Sequence, residues 1–145
     1  PLFSQDWDRI RQHEGIIVDG LLGTGITRPP RGDIRSALKA LRENQASSKL
    51  VVSIDLPSGM NHVSGECPDD EEEDIGTLAC RADMTCNLHM LKRGPMNDIA
   101  KPFVGELWTV EAALGYPTFV SAQTSIVEKF DRLYATGPIQ KVPKI

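Results

Sequence analysis

An α/β fold built on a mostly parallel sheet is predicted by three observations. Two short apolar runs, residues 16–18 and 50–54, are separated by one amphipathic stretch, and each run gives way to polar, glycine-containing sequence. A strand, a helix and a second strand in that order make a βαβ unit, whose connection is right-handed in nearly all proteins.

The elements follow in chain order. Ser4 is placed to cap a short helix with Trp7 and Ile10 on its apolar face, and Gly15 stops it before Ile16, Ile17 and Val18. Residues 20–32 are rich in glycine and proline. Asp33 is then the expected N-cap of the clearest helix, because Ile34, Ala37, Leu38 and Leu41 recur at i, i+3, i+4 and i+7. Leu50, Val51, Val52, Ser53 and Ile54 form a near-continuous run ended by Pro57 and Gly59, the pattern of a strand buried on both faces. Two more strands are expected at about residues 84–91 and 104–110. With no helical pattern between them, they are expected to extend one sheet edge, and an antiparallel pairing is open. A last helix places Ile126, Val127, Phe130 and Leu133 on one face, with Glu128 and Arg132 paired at i, i+4. Residues 137–145 hold two prolines and no period, as a tail or linker does. No repeat is present, and the expected division is residues 1–117 as one domain and 118–145 as a helix with an extended tail.

Composition bounds the function. At 145 residues, 40% apolar and 25% charged, the chain suits one globular domain with a real core. A net charge of −4 without a basic face argues against nucleic acid or an anionic membrane as partner, since both demand clustered Lys and Arg. A small anionic ligand remains open. The apolar stretch 16–22 is broken by Asp19 and is far shorter than the ~20 residues of a membrane helix. No secretion signal opens the chain, and Pro1 in first place points to a piece of a larger product. Cys67, Cys80 and Cys86 lack zinc-site spacing, and only His62 and His89 lie near them in sequence. Free thiols in a reducing compartment are the favoured reading, so the expected location is the cytoplasm, or the mitochondrion in a eukaryote. The acidic run at 69–74 is expected to be a mobile, solvated loop.

Ligands of open α/β sheets bind beyond the carboxyl ends of the strands. The first run ends in Asp19 and continues through Gly20 to Thr27 as GLLGTGIT. This imitates a Walker loop but has Ile26 in place of the lysine, and Arg28 stands where a GxGxxG motif needs its third glycine. What remains is a loop whose backbone N–H groups, with the Thr24 and Thr27 hydroxyls and Arg28 or Arg31, can face a phosphate. A plain strand-to-helix connection fits equally well. The second run ends in Asp55. A carboxylate at the end of an apolar strand is costly unless it meets a cation, a donor or a ligand, and two such acids at neighbouring strand ends favour a site over two turn caps. Ser58 lacks the GxSxG elbow of a hydrolase nucleophile.

Five segments, VDGLLGTG (18–25), SIDLPSG (53–59), RADMT (81–85), LKRG (91–94) and VGELWTVEAALGYP (104–117), together resemble the YjeF N-terminal domain family in order and spacing. The resemblance covers about residues 5–117. It implies a Rossmann-like three-layer α/β/α fold and NAD(P)H-hydrate epimerase activity, with NAD(P)HX as the dinucleotide substrate. It further implies a potassium ion at Asp19 and Ser58, substrate contacts from Gly23, Thr24, Gly25, Ile26, Thr27, Arg28 and Pro29, and Asp55 as the acid beside the substrate. Asp55 then serves as general acid/base or as counter-charge. Fusion to, or partnership with, an NAD(P)HX dehydratase is implied as well, while a homodimer is expected because the absent strands and helix of the domain leave an apolar flank exposed. The family's NNGGD-type loop belongs upstream of this region, so the chain is expected to be the C-terminal part of the domain. The competing reading is a non-catalytic YjeF-like binding or dimerisation module.

Overall fold

A computed structural model describes residues 6–44, 50–69, 76–110 and 139–142. Helix α1 (Trp7–Arg11) leads into strand β1 (Ile16–Asp19), helix α2 (Gly32–Asn44) and strand β2 (Leu50–Ile54). Strand β3 (Met84–Leu88), two 3-10 turns, the short helix α3 (Lys101–Val104), strand β4 (Glu106–Val110) and strand β5 (Ile139–Lys141) follow. One sheet runs in the order β1-β2-β3-β4-β5, with the first four strands parallel and β5 antiparallel to β4. This is an α/β, Rossmann-like arrangement, and the expected βαβ unit is β1-α2-β2 with Asp19 beside Ser53 in register.

Ala37, Leu38 and Leu41 of α2 are buried, and Leu38 and Leu41 join Val51, Leu78 and Cys80 in a core against which Ile10, Ile17 and Ile34 pack. A second cluster of Met60, Ala100 and Val104 lies beneath Phe103 and Leu107. The short α1 is held by α2. The side-chain amide of Asn44, fully buried, lies 2.5, 2.6 and 3.0 Å from the carbonyl oxygens of Ile10, Arg11 and His13, at and just past the end of α1. Arg11 also pairs with Glu43.

Several expectations change. Helix α1 begins at Trp7 with Asp6 in the N-cap position and no side-chain cap bond, and Ser4 lies outside the described residues. Helix α2 begins at Gly32, which puts Asp33 in the first turn, where its charge still favours the helix dipole. Strand β2 is buried on one face only: Val51 and Ser53 are covered while Ile54 is exposed. The same face at β1 leaves Ile16 and Val18 61% and 62% exposed. An apolar run therefore marked a strand with one covered face and one open apolar face. Strands β3 and β4 are parallel, because the 3-10 turns and α3 carry the chain back across the sheet in pieces too short to show a helical period. Three residues of the expected tail form β5, secured by backbone bonds to β4 that need no apolar pattern. The predicted helix around 126–133 and most of the acidic run lie outside the described residues. Asp69, at the start of that run, makes an isolated bridge to Thr77. Among the described residues no helix is long and apolar enough to cross a membrane.

Candidate functional site

Strands β1 and β2 deliver their last residues to the same sheet end. Asp19 is 2% exposed, and the parallel register sets it against Ser53 on the covered face. Its carboxylate collects four donors. Ser58 Oγ (2.5 Å) and Leu21 N (3.3 Å) donate to Oδ1, and Ser53 Oγ and Ser58 N (each 2.8 Å) donate to Oδ2. Among the described residues no Lys or Arg side chain pairs with it. Hydrogen bonds, which charged acceptors make strong, thus replace an ion pair in keeping this buried charge. The arrangement stitches the end of β1 to the segment after β2.

The loop after β1 is pinned at two points. Ser58 Oγ accepts a bond from Leu22 N (2.9 Å), and the Asn61 amide donates to the Ile26 carbonyl (2.8 Å) while its Oδ1 accepts from the Val63 and Ser64 N–H groups. Gly23, Thr24, Gly25, Thr27 and Arg28 are exposed; Ile26 and Pro29 are half-buried. Their backbone is therefore held close to Ser58 and Asn61 and open to solvent. Gly59, at φ 96°, allows the turn that follows Ser58: a Cβ there would lie 2.9 Å from the Leu78 carbonyl oxygen.

Asp55 stands immediately past β2 with a left-handed φ of 72°. Its N–H bonds the Cys86 carbonyl, so it remains tied to β3. Oδ1 receives Lys92 Nζ at 2.5 Å and Leu88 N at 3.1 Å, and Lys92 and Asp55 side chains are 20% and 21% exposed. Asp19 and Asp55 thus end adjacent parallel strands, and Ser58 bonds directly to Asp19. The groove that runs along β1 past Ile10, His13, Ile16 and Val18 reaches Asp19 and Leu21 but is not lined by Asp55.

Ser53, Asn61 and Lys92 were not singled out from the sequence. Ser53 had a signal, as the lone polar residue inside an apolar run. Lys92 stood within the LKRG segment without a role, and Asn61 carried no local signal. The three cysteines are free. Burial pushes the Cys67 thiol up to about 12; Cys80 is raised by burial and then by the Asp19 charge, and Cys86 by burial. They are therefore protonated, weakly reactive thiols. Among the described residues no three His, Cys, Asp or Glu side chains gather to hold a metal ion.

Residues 3–94 match the family described as YjeF-related protein N-terminus. The chain is 36% identical over 91 residues to the bifunctional NAD(P)H-hydrate repair enzyme Nnr of Methanopyrus kandleri, across 63% of this chain and 17% of that protein. It is 34% identical over 101 residues to the NAD(P)H-hydrate epimerase of Pirellula staleyi, across 70% of this chain and 39% of that one. With the NAD(P)H-hydrate epimerase of Rhodopirellula baltica it shares 34% identity over 111 residues, 77% of this chain and 40% of that one. The chain therefore spans well under half the length of these relatives.

Proposed function

On the premise that this chain belongs to the YjeF-related protein N-terminus family, we propose that the protein carrying it interconverts the R and S epimers of hydrated NADH and NADPH. The observation that supports the reading is the carboxyl end of adjacent parallel strands β1 and β2, where the pinned glycine loop and the Asp19–Ser58 network follow one strand and Asp55 follows the other. Open parallel sheets bind nucleotides at such an end.

In this reading Gly23, Thr24, Gly25, Ile26, Thr27, Arg28 and Pro29 bind the dinucleotide. Backbone N–H groups and the threonine hydroxyls face its phosphates, and Arg28 adds charge. Asp55 lies beside the hydrated nicotinamide ring. Epimerisation breaks the bond from C6 to its hydroxyl, which leaves with a proton as water, and water then adds to either face of the flattened, cationic C6 and gives a proton back. Asp55 serves as the acid/base of that proton exchange or as the counter-charge to the cation.

A potassium ion fits Asp19 and Ser58 in donor chemistry, since carboxylate and hydroxyl oxygens are hard ligands. The buried Asp19 charge also lacks a partner cation among the described residues. When bound, the ion supplies positive charge beside the dinucleotide. Asp19 and Ser58 would hold it, the ion taking the place of one or more of the four donors that fill the Asp19 oxygens here.

The bifunctional names of several relatives support a partnership with, or fusion to, an NAD(P)HX dehydratase. The open apolar face at Ile16 and Val18 supports a homodimer. The free thiols support a reducing compartment, the cytoplasm or a eukaryote's mitochondrion.

The test is direct. One purified epimer of hydrated NADH is incubated with the intact protein, and both epimers are followed by chromatography. Equilibration well ahead of a protein-free control is expected; equal rates with and without protein would overturn the reading.

A further inference from the structure

Asp55 and His89 are the non-glycine residues with positive φ among the described residues, at 72° and 64°. They stand at the carboxyl ends of adjacent strands, β2 and β3, and both serve one contact. Past β3 the chain folds back on itself. Asn87, fully buried, donates from its amide to the Met90 carbonyl (2.8 Å), and its Oδ1 accepts from Lys92 N (3.3 Å). This turn returns Lys92 over the strand end it has just left. Its ammonium then donates to Asp55 Oδ1 (2.5 Å) and to the Leu88 carbonyl (3.2 Å). Leu88 N donates to the same Oδ1. Oδ2 has no hydrogen-bond partner among the described residues. Backbone strain of this kind persists only where the surroundings over-determine it, and it concentrates at functional sites. An exposed lysine making an ordinary surface ion pair would need neither the buried asparagine nor the left-handed turn.

We propose that Lys92 is a positioning residue: with Leu88 N–H it fixes Asp55 Oδ1 and so presents Oδ2, alone, to the reacting ring. This rests on the epimerase reading of the same site. The ammonium and the backbone N–H hold one carboxylate oxygen from two directions, so the carboxyl plane cannot rotate. With both side chains about four-fifths covered, that restraint is strong because little water competes for it. A carboxylate held in this way meets its substrate without first being reoriented, which is what preorganised catalytic groups achieve.

The experiment is a double-mutant cycle in the intact protein, reading epimer interconversion as kcat and KM separately. Lys92→Met is expected to lower kcat about 10- to 100-fold with KM within about threefold, the effect of misaligning a reacting group. In an Asp55→Asn background the same change is expected to do almost nothing, because the residue it orients is already disabled. Lys92→Arg, which keeps charge and N–H donors, is expected to recover at least part of the lost kcat. If Lys92→Met does not fold, the cycle is run with Lys92→Gln, which also removes the charge, in its place. Losses that multiply independently in the double variant, or a Lys92→Met protein with wild-type kcat beside an impaired Asp55→Asn protein, would overturn the role of Lys92 and leave the epimerase reading standing. An Asp55→Asn protein at the wild-type rate would overturn both.

Discussion

Asp19 and Asp55 follow neighbouring strands and carry the same carboxylate, yet their surroundings differ in every respect that matters for chemistry. Asp19 is sealed in, in an ordinary strand conformation, with two donors on each oxygen. Asp55 is about a fifth exposed, strained in its backbone, with one oxygen tied and the other open. A saturated, buried acid is suited to hold things together and to offer charge to a bound cation. A strained, mostly covered acid with a free oxygen is suited to meet a reacting group. In the proposed reading the same side chain takes two roles at one sheet end, and burial with donor count separates them.

The largest expected effect falls on Asp55. Asp55→Asn in the intact protein should lower the epimer-interconversion rate by ~10²- to 10⁴-fold, the range for loss of a general acid/base, with dinucleotide binding little changed. Its thermal midpoint should fall by less than that of an Asp19→Ala protein, since asparagine adopts a left-handed φ at least as readily as aspartate and its amide oxygen still accepts from Leu88 N and Lys92. A large drop in stability with an unchanged rate would exchange the roles assigned to the two acids.

Asp19 should behave in the opposite way. Asp19→Ala strips the acceptor from the Ser53 and Ser58 hydroxyls and from Ser58 N–H, and each buried donor left unmet costs ~1 to 3 kcal/mol. A loss of about 3 kcal/mol or more in urea unfolding is expected. Replacing potassium with a bulky organic cation should weaken dinucleotide binding in the wild-type protein by titration, and should have no effect in a folded Asp19→Asn protein.

A smaller change should follow Asn61→Ala, which releases the Ile26 carbonyl and frees one side of the glycine loop. At about 1 kcal/mol for one net hydrogen bond, the KM for the dinucleotide should rise roughly fivefold with kcat nearly constant. An unchanged KM would remove the loop from the binding site.

The smallest effect concerns the three thiols. The folded protein holds Cys67 at about 12, above the ordinary thiol value of 9.0, and raises Cys80 and Cys86 as well. The unfolded chain therefore loses these protons first as pH rises. Stability is full below about pH 9 and falls between there and about pH 12. Urea midpoints should accordingly be lower at about pH 10.5 than at about pH 8, and the native protein should react slowly with a thiol reagent until denaturant is added.

Much of this was open to a reader of the residues alone, and the reason is local. Strands β1 and β2 and helix α2 announce themselves through apolar runs and the 3.6-residue recurrence of Ile34, Ala37, Leu38 and Leu41, patterns set within a dozen residues. Asp19 and Asp55 were visible for a related reason, since a carboxylate ending an apolar strand is costly wherever it stands. The parallel pairing of β3 and β4 was hidden because the crossover is assembled from two 3-10 turns and a four-residue helix, none long enough to carry a period. Strand β5 was hidden because backbone bonds to β4 hold it, and those bonds leave no trace in side-chain pattern.

The chain's own order of residues determined the α/β class, the two strand ends and the acids on them. Only the tertiary structure decided which acid is saturated and which is open. The donors that close Asp19 come from Ser53 and Ser58, 34 and 39 residues away, and the ammonium that ties Asp55 comes from Lys92, 37 residues away. Contacts across such distances depend on sheet register and turn geometry, which no local window of sequence contains.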